Sequence, residues 1–223
     1  MKLEIPFLSK AGNASGLAGD EGHQLFDSLH GRGYQANQRG RVFTQTTTPL
    51  GLAIPIYTAT APIGNALWNP LGSGVKCVLM TYTAAAVSGT AVYGAIVLMA
   101  RNGVGSVIGT GQQITAFAET IPVNGRLSNV NSIAGNGGGY ASKAKSSNAG
   151  TVTITAGVAA EAVRTLFGIN GEGAAAGLHG TVNTTHEFEG RVVVYPGTLV
   201  WVACTLASVA LYAQTLEWEE VDI

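Results

Sequence analysis

From Val42 to Ala100, 59 consecutive residues, the chain carries one charged side chain, Lys76, and from Val192 to Leu216 it carries none. Both stretches are broken every few residues by Gly, Pro, Thr, Ser or Asn, so neither reads as a continuous apolar helix. Soluble domains ordinarily place charge at roughly 25% of positions, whereas this chain places it at 11%. So little charge means that much of the would-be surface is covered by something else, and partner subunits are the expected cover. The pattern speaks for assembly more than for catalysis.

With 223 residues the chain can hold one large domain, or one domain and an extension. A single fold of that size buries roughly 70–75% of the surface its unfolded chain exposes, enough for a core without metals or disulfides. The 31 glycines are scattered without a collagen period and imply many turns. A net charge of −1 gives no general attraction to nucleic acid or to an anionic membrane. Charge is unevenly spread, however. Residues 1–41 hold nine charged side chains and the remaining 182 hold sixteen. That shift sets the expected boundary: an extended N-terminal arm over residues 1–48 and a β-sandwich over 49–223.

Val192–Leu216 is long enough to cross a bilayer. Pro196-Gly197 interrupts it, Arg191 and Glu217 close it, and no basic flank sets an orientation, so it is not read as a membrane span. The start, Met1-Lys-Leu-Glu-Ile-Pro, has no apolar signal core. Cys77 and Cys204 each lie in an apolar run, and with no secretory signal they read as buried free thiols.

The arm mixes Gly12, Gly16, Gly19, Gly22, Gly31, Gly33 and Gly40 with polar residues, and only Gly22–His30 offers a short helical turn. After Thr48 the pattern is strands and turns. Ala53–Thr60 is confined by its proline to an edge or a strand start. Val75–Thr83, Ala91–Ala100, Thr151–Thr155, Arg191–Tyr195, Leu199–Leu206 and Val209–Trp218 are rich in β-branched and aromatic residues or alternate cleanly. In the last run Ala210, Tyr212, Gln214, Leu216 and Trp218 share one face, and Val209, Leu211 and Ala213 the other. Two apolar faces predict cover on both sides, by a second sheet and by a neighbour. Arg101–Gly150 reads as loop-rich. Many short strands with Gly/Pro turns predict an all-β fold, a jelly-roll-like β-sandwich.

Catalytic signatures are sparse. Gly103-Val-Gly105-Ser-Val-Ile-Gly109 has one residue too many for a dinucleotide loop and lacks a following helix. His186-Glu187-Phe188-Glu189 reads as a hydrated surface strand with the two glutamates on one face; neither a metal site with His179 nor a glycosidase pair has the surroundings it needs. Glu217-Trp-Glu-Glu-Val-Asp222 could hold calcium, but a charged sheet edge that blocks aggregation is the simpler account. No catalytic, cofactor-binding or metal-binding residue is assigned, no cofactor is expected, and the chain is read as non-enzymatic. The arm's Arg32, Tyr34, Arg39, Arg41 and Phe43 are the candidate partner-binding residues, their arginines suited to carboxylates on a protein partner. Acidic Asp20, Glu21 and Asp27 in the same arm argue against nucleic acid.

Leu29–Thr44 (LHGRGYQANQRGRVFT), Asn69–Met80 (NPLGSGVKCVLM) with the following Val87-Ser-Gly-Thr90, and the closing Pro196-Gly-Thr-Leu-Val-Trp201 and Leu216–Val221 (LEWEEV) together resemble a group of structural proteins of tailed bacteriophages. In that group an NPxGSG strand is followed by a VSGT hairpin, and the chain closes on an acidic Trp-containing strand. The resemblance implies a jelly-roll capsid cement or decoration protein on the virion surface, made in the host cytoplasm. It also implies a homotrimer that binds the major capsid protein. Neck, tail or fibre proteins are the nearest alternative, and a carbohydrate-binding or depolymerising β-protein the alternative from another class.

Overall fold

The computed structural model describes residues 33–60, 64–90, 94–105, 108–109, 112–125, 141–148, 152–155, 160–169 and 183–223. A five-residue helix, α1 (Tyr34–Gln38), precedes fourteen strands among these residues: β1 (Val42–Thr46), β2 (Leu52–Ala53), β3 (Ala66–Asn69), β4 (Val75–Ser88), β5 (Gly94–Arg101), β6 (Ile114–Phe117), β7 (Val123–Asn124), β8 (Lys145–Ser147), β9 (Val152–Ile154), β10 (Glu161–Ile169), β11 (Asn183–Glu187), β12 (Val193–Val194), β13 (Thr198–Cys204) and β14 (Leu211–Asp222).

Eight of these strands carry the architecture. In chain order the first pairs with the eighth (β1 with β14), the second with the seventh (β3 with β13), the third with the sixth (β4 with β11) and the fourth with the fifth (β5 with β10), all antiparallel. This is a long ribbon of strand pairs. Rolling it brings β14 against β4 and β13 against β5. Two sheets result, β11-β4-β14-β1 extended by β7 and β10-β5-β13-β3 extended by β8. That connectivity is a jelly roll, as the sequence pattern predicts.

The roll begins earlier than composition suggests. Val42–Thr46, inside the expected arm, is a strand held between β14 and β7, because alternating side chains with Phe43 pointing inward suit a half-buried strand. Residues 1–32, including the helical turn expected at Gly22–His30, lie outside the described residues. The Val87-Ser-Gly-Thr90 segment is not a hairpin. It leaves β4 in one sheet and leads to β5 in the other, so it forms a corner between layers. Tyr195-Pro-Gly197 and Thr205–Ala210 are corners of the same kind.

The core lies between the two sheets, where Leu79, Tyr82, Leu216 and Trp218 meet Ile96, Leu98, Val200 and Val202. In β4 the inward residues are Val75, Cys77 and Leu79, then Tyr82 and Ala84. The phase changes because Met80 is an extra residue opposite the Glu217–Trp218 step of β14, a bulge that turns the strand by one side chain. The second face of β13 is covered as well. Leu199, Trp201 and Ala203 pack with Trp68, Val97 and Met99 against Ile114, Val152 and Ile154 of the small β6–β9 sheet. The chain thus supplies its own third layer on that face of β13. Each large side chain buried in β13 contributes about 1.5–3 kcal/mol.

Candidate functional site

Three of the predicted partner-binding residues, Arg39, Arg41 and Phe43, lie at the start of β1. Gly40 closes the turn after α1, with its N–H donating to the Asn37 carbonyl at 2.8 Å and a left-handed φ of 69°. Asn124 Nδ2 donates to the Gly40 carbonyl at 2.7 Å, which ties this turn to β7. Arg39 is exposed on it. Arg41 donates from Nη2 to Asp222 Oδ2 at 3.1 Å, and Lys143 Nζ reaches Asp222 Oδ1 at 3.1 Å, a surface trio. Phe43 does not face a partner: it is buried and stacked on Trp218 at 6.0 Å. Tyr34 lies in α1, and Arg32 falls outside the described residues. Of the four described, Arg39 is exposed, and Arg41 is engaged within its own chain.

Beside this turn runs a groove of about 420 Å³ lined by Thr44, Gln45 and Thr46 of β1, Ile121, Val123, Asn124, Gly125 and Asn148. None of these residues is ionisable, and none is aromatic. Asn148 Nδ2 donates to the Thr46 carbonyl at 2.6 Å and its Oδ1 accepts from Thr120 Oγ1 at 2.8 Å, which fixes one wall. Gln45 is buried, and its carboxamide finds no hydrogen-bond partner among the described residues. The described lining offers hydroxyl and amide groups to a neutral ligand and no ionisable side chain to serve as acid or base.

The acidic closing strand is not a sheet edge. β14 is central, between β4 and β1, so its residues alternate between core and surface. Glu220 points inward and is buried. Its carboxylate accepts from Ser142 Oγ at 2.6 Å, from the Lys143 N–H at 2.9 and 3.1 Å, and from the Ala144 N–H at 3.0 Å. A charge held by main-chain donors in this way anchors the 142–144 segment. The even-numbered face read through Trp218 already contains Glu220 two residues on, so the signal for an inward carboxylate was present in the sequence.

The remaining reactive groups are quiet. Cys77 and Cys204 are free and buried. Burial, with the nearby Glu220 charge, drives the Cys77 thiol well above its usual range. Burial raises Cys204 as well, and its Sγ–H donates to the Leu206 carbonyl at 2.8 Å. Tyr82 is raised by burial and then by Tyr212; its hydroxyl donates to Gln214 Oε1 at 3.0 Å. His186 sits on β11 with its ring edge-on to the buried Phe188 at 5.0 Å. Burial and then the Arg164 charge lower its pKa, which favours the neutral ring. The His186–Phe188 face is therefore turned inward, where a hydrated surface strand was expected. Glu189 lies past the strand in a turn with φ 51° and pairs with Arg191 at 2.6 Å, so Glu187 and Glu189 do not form a strand-borne pair. His179 lies outside the described residues. Among the described residues no group of three or more His, Cys, Asp or Glu side chains could hold a metal ion, and no helix is long and apolar enough to cross a membrane.

No family model matches the chain, and neither a curated protein nor a solved structure is detectably similar to it.

Proposed function

We propose that this chain is a non-enzymatic structural protein of a tailed-phage virion. In this reading it is a cement or decoration protein that binds the head as a symmetric oligomer, with three copies as the working number. The observation that supports this best is that the motifs behind the phage resemblance are the joints of the roll. Asn69 donates from Nδ2 to the carbonyls of Val75 at 2.8 Å and Val194 at 2.9 Å and so locks the β3–β4 corner. Gly72 and Gly74 turn that corner with φ of 83° and 73°. Trp218 of the closing motif is fully buried in the core. Binding energy alone would be the mechanism, with each modest contact multiplied by avidity across a closed shell.

Antibody against the purified chain, applied to intact phage particles from the source that encodes it, is the test. Regular labelling of the head is the expected result. Label confined to the tail would favour the neck, tail or fibre reading, and absence from every particle would overturn the proposal. A second reading, carbohydrate binding, is favoured by the neutral hydroxyl- and amide-lined groove beside β1. Glycan-array binding that is lost on Thr44→Val substitution would select it.

A further inference from the structure

We propose that Asn102-Gly103, the loop pair directly after β5, is a site of spontaneous covalent modification, where the Asn102 side-chain amide converts to a carboxylate through a cyclic imide. Asparagine followed by glycine is open to this reaction because no Cβ crowds the attacking main-chain nitrogen and the backbone turns freely to meet the side chain. Four such pairs occur in the chain: Asn102-Gly103, Asn124-Gly125, Asn136-Gly137 and Asn170-Gly171. The last two lie outside the described residues. The fold treats the first two in opposite ways.

At Asn124-Gly125 both reacting groups are held. Asn124 is buried in β7, its Nδ2 donates to the Gly40 carbonyl at 2.7 Å, and the Gly125 N–H donates to the Val42 carbonyl at 2.9 Å. A Cβ on Gly125 would lie 2.7 Å from Asn37 Oδ1, so α1 crowds the pair as well. Closing a ring there would break both hydrogen bonds inside a buried site. At Asn102-Gly103 neither group is held. Both residues are exposed and lie outside any strand, and the Gly103 N–H, at φ 73°, donates to no described residue. Among the described residues a Cβ there would meet only the far end of one side chain, Gln113 Nε2 at 3.7 Å. The Thr198 hydroxyl donates to Asn102 Oδ1 at 3.1 Å. That bond stabilises the oxygen that gains negative charge as the nitrogen attacks, and it leaves Nδ2, the departing group, unheld by any described residue.

Water is the one co-reactant the conversion needs. The Gly103 nitrogen bonds to Asn102 Cγ, the Cγ–Nδ2 bond breaks, and ammonia leaves with the proton that the Gly103 nitrogen gives up. Water then opens the ring at either carbonyl. Opening at Cγ leaves an aspartate, and opening at the main-chain carbonyl leaves an isoaspartate whose backbone is one carbon longer. Either product adds a negative charge to a chain of net charge −1. The isoaspartate also lengthens the link between β5 and Val104, whose N–H holds the Gly197 carbonyl at 2.8 Å before β13 begins.

Peptide mass mapping of the full chain tests this, with one sample kept folded and another unfolded in guanidinium chloride in the same mildly alkaline buffer. In the folded sample residue 102 should gain one mass unit at least tenfold faster than residue 124, with the isoaspartate form present. Unfolding should remove most of that difference by speeding residue 124. Thr198→Val, with strand content unchanged by circular dichroism, should slow conversion at residue 102 at least twofold in the folded chain and leave the unfolded rate as it was. Equal rates at the two residues in the folded chain, or a difference that persists on unfolding, would overturn the proposal. An unchanged folded rate in Thr198→Val would overturn the role given to the hydroxyl.

Discussion

The two sheets of the roll share a core but treat their outer faces in opposite ways. The β10-β5-β13-β3 sheet carries Trp68, Val97, Met99, Leu199 and Trp201 outward, and the β6–β9 sheet covers them. The β11-β4-β14-β1 sheet carries hydroxyls. Thr46, Thr215, Thr83 and Thr185 lie in one row across its four strands, with Thr46 and Thr215 hydroxyls 3.1 Å apart and those of Thr83 and Thr185 3.0 Å apart. The next row reads Thr44, Glu217, Thr81 and Glu187, and Thr81 Oγ1 donates to Glu217 at 3.0 Å. The scarcity of charge therefore has two separate causes. One face is buried by the chain itself, and the other meets solvent through threonine. Neither cause requires a partner subunit.

The sharpest way to break this comparison is to truncate one residue on each face. Trp201→Ala should cost about 3–5 kcal/mol in urea unfolding, as full loss of a buried aromatic does. Thr83→Ala on the open face should stay within about 1 kcal/mol. Similar losses at the two sites would mean that the third layer does not hold the first face. The inward and outward carboxylates of β14 give the next contrast. Glu220→Ala leaves main-chain donors unpaired and should cost about 2–4 kcal/mol, whereas Glu217→Ala should cost at most about 1 kcal/mol. At the corner joining the sheets, Gly89→Ala meets both a left-handed backbone and the Val209 carbonyl and should cost about 1–3 kcal/mol.

The smallest effect concerns His186 at the open sheet's border. Its pKa is lowered from the usual 6.5 in the folded chain, so below that value the unfolded chain binds the extra proton more readily. Its contribution is fully present above pH 6.5 and is lost as pH falls through the folded value. The melting temperature should drop between pH 7 and pH 5, and His186→Gln should flatten that drop. An unchanged pH profile in the variant would show that His186 is not the group responsible.

The sequence makes the long strands plain and hides the short or bulged ones. β5, β13 and β14 show dense apolar runs or strict alternation, and Cys77 and Cys204 are buried thiols as their apolar neighbours imply. β10 escapes notice because Val163 and Leu166 are extra residues opposite β5, which breaks its alternation twice. β6, β7 and β8 have two to four residues each, too few for any period to emerge. Of the third layer only β9 shows, in the alternation read at Thr151–Thr155, and without its partner β6 a second apolar face looks like a subunit contact. At the arm's root, Phe43 carries its own signal in the alternation of Val42–Thr46. The Arg41–Asp222 pair joins opposite ends of the sequence and has no local trace.

The ribbon pairing also sets a timetable for folding. Thr46 and Thr215 are partners across 169 positions, and Thr81 reaches Glu217 across 136. β1 and β4 are made early, yet the strand that lies between them is made last of the fourteen. Until β14 arrives, each presents an unpaired edge rich in β-forming residues, and the Trp218 side of the core is empty. Pairings this distant in sequence close slowly, and open edges in an incomplete chain invite aggregation. Folding of this sandwich therefore waits until β14 has been made, and the yield of native protein depends on how long nascent chains are kept apart before that strand slides into the centre.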